Sequence, residues 1–146
     1  MQCLQLTRGK FRCENSPQSV AITASNISQY FTVTNSSYYF AGNGTIFTTN
    51  NAGQNSSTAQ TTIKALYNMS ISFDYSYSSE ANYDKFTLTV AGTTIEKDVS
   101  GATTNKSYSG TLNSGDSIVF KYAKDSSQHS NDDKCTFSNM VVTYEG

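Results

Sequence analysis

The chain has 146 residues, ten Lys and Arg against eleven Asp and Glu, and a net charge of −1, enough for one domain with a hydrophobic core. Charged residues make up 14% and apolar ones 36%, so the polarity rests on Ser, Thr, Asn and Gln rather than on ions. A pI near 5.7 without a Lys/Arg cluster excludes the footprint of a nucleic-acid binder. No apolar run approaches the ~20 residues of a membrane-spanning helix, and ten Tyr with eight Phe exclude a disordered tail.

In chain order, residues 1–15 carry no apolar signal-peptide centre. That fits a secreted chain already processed, or a surface protein exported by another route, such as a phage structural protein. Residues 1–18 read as an N-terminal arm or edge hairpin and residues 19–146 as the sandwich domain. Cys3 and Cys13 flank a predicted turn at residues 7–10. With Cys135 they make an odd number, and three readings stand: idle or buried thiols, a Cys3–Cys13 bridge, and a bond between chains. Pro17 is expected in a loop before the first strand.

Weak strand signals follow at Val20-Ile22-Ala24, Phe31-Val33, Ile46-Phe47 and Thr61-Ile63-Ala65. The strongest period-two alternation places Met69, Ile71, Phe73, Tyr75 and Tyr77 on one face, opposite Ser, Asp and Asn. Phe86, Leu88 and Val90 repeat it. Ile95, Lys97 and Val99, then Ile118, Phe120 and Tyr122, then Met140, Val142 and Tyr144 do the same. Asn43-Gly44, Ala91-Gly92 and Asn113–Asp116 supply turn chemistry between them. No stretch has helical apolar spacing with caps. Strands spaced roughly every 8–12 residues predict an all-β fold, a two-sheet antiparallel β-sandwich. Its core should hold Met69, Ile71, Phe73, Phe86, Leu88, Val90, Phe120 and Val142.

Several short motifs recur in order over the second half: Ser78-Ser79-Glu80 then Tyr83-Asp84-Lys85, Ser100-Gly101, Leu112 with Gly115-Asp116, Tyr122-Ala123-Lys124-Asp125, and Asp132-Asp133. In these the chain resembles a jelly-roll family of accessory modules, similar to carbohydrate-binding modules, from surface and secreted proteins of gut bacteria and their phages. The resemblance implies a jelly-roll winding and a module without catalytic activity of its own. The chain departs from the pattern where the family places Trp and an Ile-Asp pair; here stand Phe120 and Phe137-Ser138, and Trp is absent.

The candidate chemistry is sparse. His129, the single histidine, sits in a polar run with no partner set for a catalytic triad. Two-carboxylate hydrolysis would need paired acids facing a cleft, and Asp74, Glu80 and Asp84 read better as structural. Zinc lacks its ligand spacing, and no cofactor is implied beyond calcium. Oxygen-rich loops could hold that ion through Glu80, Asp84, Asp125, Asp132 and Asp133. The competing reading is an ion-pair network in which Lys85 and Lys124 neutralise those acids. By the resemblance, Ser79, Glu80, Asp84, Lys85, Lys124, Asp125 and Asp133 should meet near one end of the sandwich. For a glycan, Tyr30, Tyr38, Tyr39, Tyr83 and Tyr108 are the candidate platforms. The expected function is a non-catalytic module at an extracellular, cell or virion surface, recognising carbohydrate or a surface polymer. The alternative is a structural or decoration protein of a virion or fibre, whose partners are copies of itself or other virion proteins.

Overall fold

The computed structural model describes residues 3–5, 11–13, 17–126 and 132–145. Two short strands, β1 (Cys3–Gln5) and β2 (Phe11–Cys13), form a two-stranded sheet of their own, in which the backbone of Cys3 pairs with that of Cys13. The side chains of both cysteines, and so the question of a bridge, lie outside the described residues, as does His129.

The remaining strands build two antiparallel sheets. One, here sheet I, has the order β10 (Thr93–Val99), β9 (Lys85–Val90), β12 (Ser117–Ala123), β7 (Thr58–Ala65), β4 (Phe31–Asn35). The other, sheet II, runs β11 (Lys106–Leu112), β8 (Met69–Ser78), β13 (Lys134–Glu145), β6 (Ile46–Thr49), β5 (Phe40–Asn43). The last of its strands, β3 (Pro17–Ala21), pairs with β13. A single helical turn, α1 (Ile27–Tyr30), interrupts the strands. From β7 to β13 successive strands alternate between the sheets, save for the β9–β10 hairpin. This is jelly-roll winding, and it makes a β-sandwich.

Alternation decides which side chains enter the core. On β8 Met69, Ile71, Phe73 and Tyr75 are buried while Ser70, Ser72, Asp74 and Ser76 point away. All eight residues expected in the core are buried. The centre is aromatic: Phe120 of sheet I stacks on Phe137 of sheet II with ring centroids 4.0 Å apart, and Phe47 stacks on the other side of Phe137 at 4.6 Å. Burying rings in such offset contact stabilises beyond their area alone, by about 0.5–1.5 kcal/mol per pair.

Four features differ from expectation. Pro17 opens β3 rather than preceding the strands; as a first residue its missing N–H costs no ladder bond. Strand β10 does not alternate cleanly, because two register breaks fall between Thr94 and Val99 and Asp98 adopts φ 50°. β5 and β11 were not expected as strands, since Gly42 and Gly110 stand where large apolar residues would mark an inward face. In β13 the register breaks between Ser138 and Val141, with Asn139 at φ 51°. Above that bulge Cys135 and Phe137 face inward; below it Met140 and Val142 do.

Candidate functional site

Register fixes two ends. At one end, here the upper, lie Thr58 and Ala123, paired with each other, Lys85 opposite Ala123, and Ser78 opposite Lys134. The lower end holds Ala65, Met69, Leu112 and Tyr144.

At the upper end three strands carry their buried face one inward-facing position, two residues, past the last apolar one. Asp84 continues the Phe86–Leu88–Val90 side of β9, Lys124 the Ile118–Phe120–Tyr122 side of β12, and Asp133 the Cys135–Phe137 side of β13. Because Ala123 pairs with Lys85, Lys124 falls beside Asp84. Its Nζ is 3.7 Å from Asp84 Oδ2 and donates to Asp133 Oδ1, with the Lys124 and Asp84 side chains each 1% exposed. Tyr122 donates its hydroxyl to the same Asp133 oxygen at 2.7 Å, and the Gly53 N–H reaches Asp133 Oδ2 at 2.8 Å. Burial pushes the Asp133 carboxyl up, but Lys124, the Gly53 N–H and the Tyr122 hydroxyl outweigh it and hold the group below the usual carboxylate range. Burial and the Asp133 charge push the Tyr122 phenol far up, so it remains a donor.

Loops tie into this cluster by backbone and side chain. The Asp125 N–H donates to Asp84 Oδ1 at 3.0 Å, and Ser79 Oγ donates to the Asp84 carbonyl at 2.9 Å. The Glu80 carbonyl accepts from the N–H groups of Tyr83 and Asp84, closing one turn, and Asp132 N–H donates to Ser78 Oγ at 3.1 Å. The structure therefore brings Ser79, Asp84, Lys124, Asp125 and Asp133 together, with Glu80 and Asp132 on adjoining loop backbone. Lys85 begins β9, half-buried. Among the described residues no group of three or more His, Cys, Asp or Glu is arranged to hold a metal ion.

The five tyrosines expected as platforms do not share a surface. Tyr38 and Tyr39 lie in the connection from β4 to β5 and Tyr83 in the turn before β9, all at the upper end; only Tyr83, at 58%, is well exposed. Tyr108 lies on edge strand β11 against Phe73 at 5.4 Å. Tyr30 is at the lower end, where its ring meets Tyr144 at 5.6 Å; Tyr144 also stacks with Tyr67 at 5.9 Å. Tyr67 is 48% exposed beside Leu66, itself exposed. The sequence reading missed Tyr67 and Tyr144. The signal was Leu66-Tyr67, two large apolar residues in the short connection between β7 and β8, where nothing needs burying.

An open furrow begins at this lower rim. Its first section, about 320 Å³, is lined by Pro17, Asn68, Met69, Ser70, Thr111, Leu112, Asn113, Thr143, Tyr144 and Glu145. Its second, about 230 Å³, shares Ser70 and Thr143 and continues over the outer face of sheet II along Ser72, Ser109, Gly110 and Val141. The cross-strand pairs Thr111–Ser70–Thr143–Ser19 and Ser109–Ser72–Val141 make its rungs. Among the described residues that line it Glu145 alone is charged.

No protein-family model matches this chain, and no curated protein matches it. Among solved structures it is similar to the secreted serine protease VesC from Vibrio cholerae, with a TM-score of 0.62 at 15% identity, over 84% of this chain and 27% of that one. The chain thus spans little more than a quarter of VesC, and the likeness is one of fold. A family 35 carbohydrate binding module from Clostridium thermocellum aligns over 88% of this chain and 99% of its own at 14% identity, with a TM-score of 0.35.

Proposed function

We propose that this domain is a non-catalytic binding module of the extracellular or cell surface, and that it recognises neutral carbohydrate through the furrow of sheet II and the tyrosines at its lower rim. The chemistry of the furrow carries the reading. Among the described residues its walls offer hydroxyls, two side-chain amides, one carboxylate and a few apolar patches, and no cation. Such a surface hydrogen-bonds to sugar hydroxyls but has nothing to neutralise phosphate, sulfate or uronate. Tyr67 adds an exposed ring beside the groove, an apolar body with a polar tip suited to the face of a pyranose.

Catalysis finds little support in the same geometry. A two-carboxylate hydrolase needs one acid with a raised pKa in a cleft. Asp84 and Asp133 are instead buried against Lys124, and Asp133 is shifted down. Affinity gel electrophoresis against neutral polysaccharides tests the reading. Retention of the wild type is expected, and Tyr67→Ala should weaken it roughly tenfold, the equivalent of about 1.4 kcal/mol, with an unchanged melting temperature. Wild-type protein retained by no neutral glycan, on gels or on a broad glycan array, would overturn it.

A further inference from the structure

Past Ser72 and Ser109, the next rung of the outer face is different in kind. Asp74 of β8 pairs directly with Ser107 of β11, and Ser107 Oγ donates to Asp74 Oδ1 at 2.7 Å. From the other side Asn139 Nδ2 donates to Asp74 Oδ2 at 3.0 Å. Asn139 reaches this position only because of the bulge in β13. The parity of Cys135 and Phe137 would bury a residue at 139, but the register break turns its side chain out and leaves it exposed. The cost is a left-handed backbone, φ 51°, which Asn bears better than most residues. Bulges characteristically re-aim one side chain, and this one aims an amide at a carboxylate on an open face.

Among the described residues the hydrogen-bond partners of the Asp74 carboxylate, Asn139, Ser107 and Asn105, are neutral. Hydrogen bonds from Asn139 and then Ser107 hold the carboxyl below the usual range against the opposing effect of burial, so it is an anion fixed in orientation. A carboxylate has about four acceptor positions and a primary amide two donors and a carbonyl. With Asn139, Ser107 and Asn105 each donating to Asp74, the pair still presents about one acceptor position on the carboxylate beside a donor and an acceptor on Asn139. Two neighbouring hydroxyls of a sugar ring, each of which donates and accepts, match that array. A preorganised site of this sort loses little entropy on binding. Asp74 lies five steps along β8 from Met69 at the lower rim, about 17 Å at the rise of an antiparallel strand, a span that suits an oligosaccharide rather than a single sugar.

We infer that Asp74 and Asn139 are the specificity-determining residues of this face, reading a pair of adjacent hydroxyls on a linear neutral oligosaccharide that lies lengthwise in the furrow. This rests on the carbohydrate reading above. Its test uses the full chain with a β-glucan, a xylan and a galactomannan as probes in affinity gels, and their oligosaccharides in calorimetry. Asp74→Asn and Asn139→Ala should each weaken the preferred polymer at least tenfold and flatten the ranking among the three, whereas Tyr67→Ala should weaken all three alike. If both variants keep the wild-type affinities and ranking while Tyr67→Ala still weakens binding, or if the wild type binds only neutral glycans other than these three, the inference falls and the carbohydrate reading stands; if the wild type binds no neutral glycan at all, both fall. Should either variant lower the melting temperature, amide shifts of wild-type protein titrated with the preferred oligosaccharide decide. Shifts at Ser72, Ser107 and Asn139 support the inference, and shifts confined to residues 66–68 overturn it.

Discussion

The ammonium of Lys124 lies almost wholly out of water between two carboxylates, so the energetics of the upper end concern desolvated charge. Removing one member of such a group strands the others, at about 3–5 kcal/mol. Lys124→Met should lower stability in urea by about that much, while replacing Lys124, Asp84 and Asp133 together by apolar residues should recover most of it. The same cluster gives an acid limb. Asp133 titrates lower in the folded chain than unfolded, so its contribution is complete above the unfolded carboxyl range and is lost as pH falls through the folded value. Asp133→Asn should flatten that limb in melting curves taken from neutral to acid pH. Calcium and Lys124 are alternative ways of holding the same acids. With the ammonium in place, melting with calcium and with a chelator is expected to give one midpoint; a calcium-dependent rise abolished by Asp125→Asn would assign the loops a metal.

At the scale of elements, the β9–β10 hairpin turns on Ala91 and Gly92, both at positive φ, 48° and 82°. Their conformation is that of a two-residue turn that matches the twist of its strands. Gly takes it without strain; Ala does not, at a cost of roughly 1–2 kcal/mol for a left-handed residue. Ala91→Asn should therefore stabilise the protein by about 1 kcal/mol, read as a higher urea midpoint at unchanged m. The turn itself was legible from Ala91-Gly92, and β8 from the alternation of Met69, Ile71, Phe73 and Tyr75. β11 was not, because Gly110 stands between Tyr108 and Leu112 on its inward face. Nothing in the local sequence announces the bulge at Asn139 either. It follows from where β13 must change neighbours, with Thr136–Ser138 against β6 and Val141–Glu145 against β3.

For the whole molecule, composition and alternation are enough to specify the sandwich, since both report on burial, which each residue expresses by itself. The upper cluster was legible in part, because Asp84, Lys124 and Asp133 extend the buried faces of their own strands by one step. The furrow was not. It is made of Ser and Thr that look like any solvated strand face until β11, β8, β13 and β3 are laid side by side. Scarcity of charge has a related effect. Among the described residues the few buried ions gather at one end, and the outer face of sheet II is nearly neutral and open to a ligand that carries no charge.

The position of β13 has a consequence for how the chain comes to be folded. It lies between β8 on one side and β6 with β3 on the other, yet it follows all three in the sequence. A ribosome therefore delivers the flanks of sheet II before the strand that joins them. Until Phe137 arrives, Phe120 and Phe47 lack the ring on which both stack, although Phe120 already meets Phe40 and Phe73, and the hydroxyl rungs that cross β13 are incomplete. The emerging chain thus lacks part of its aromatic core and of its furrow until this keystone is made.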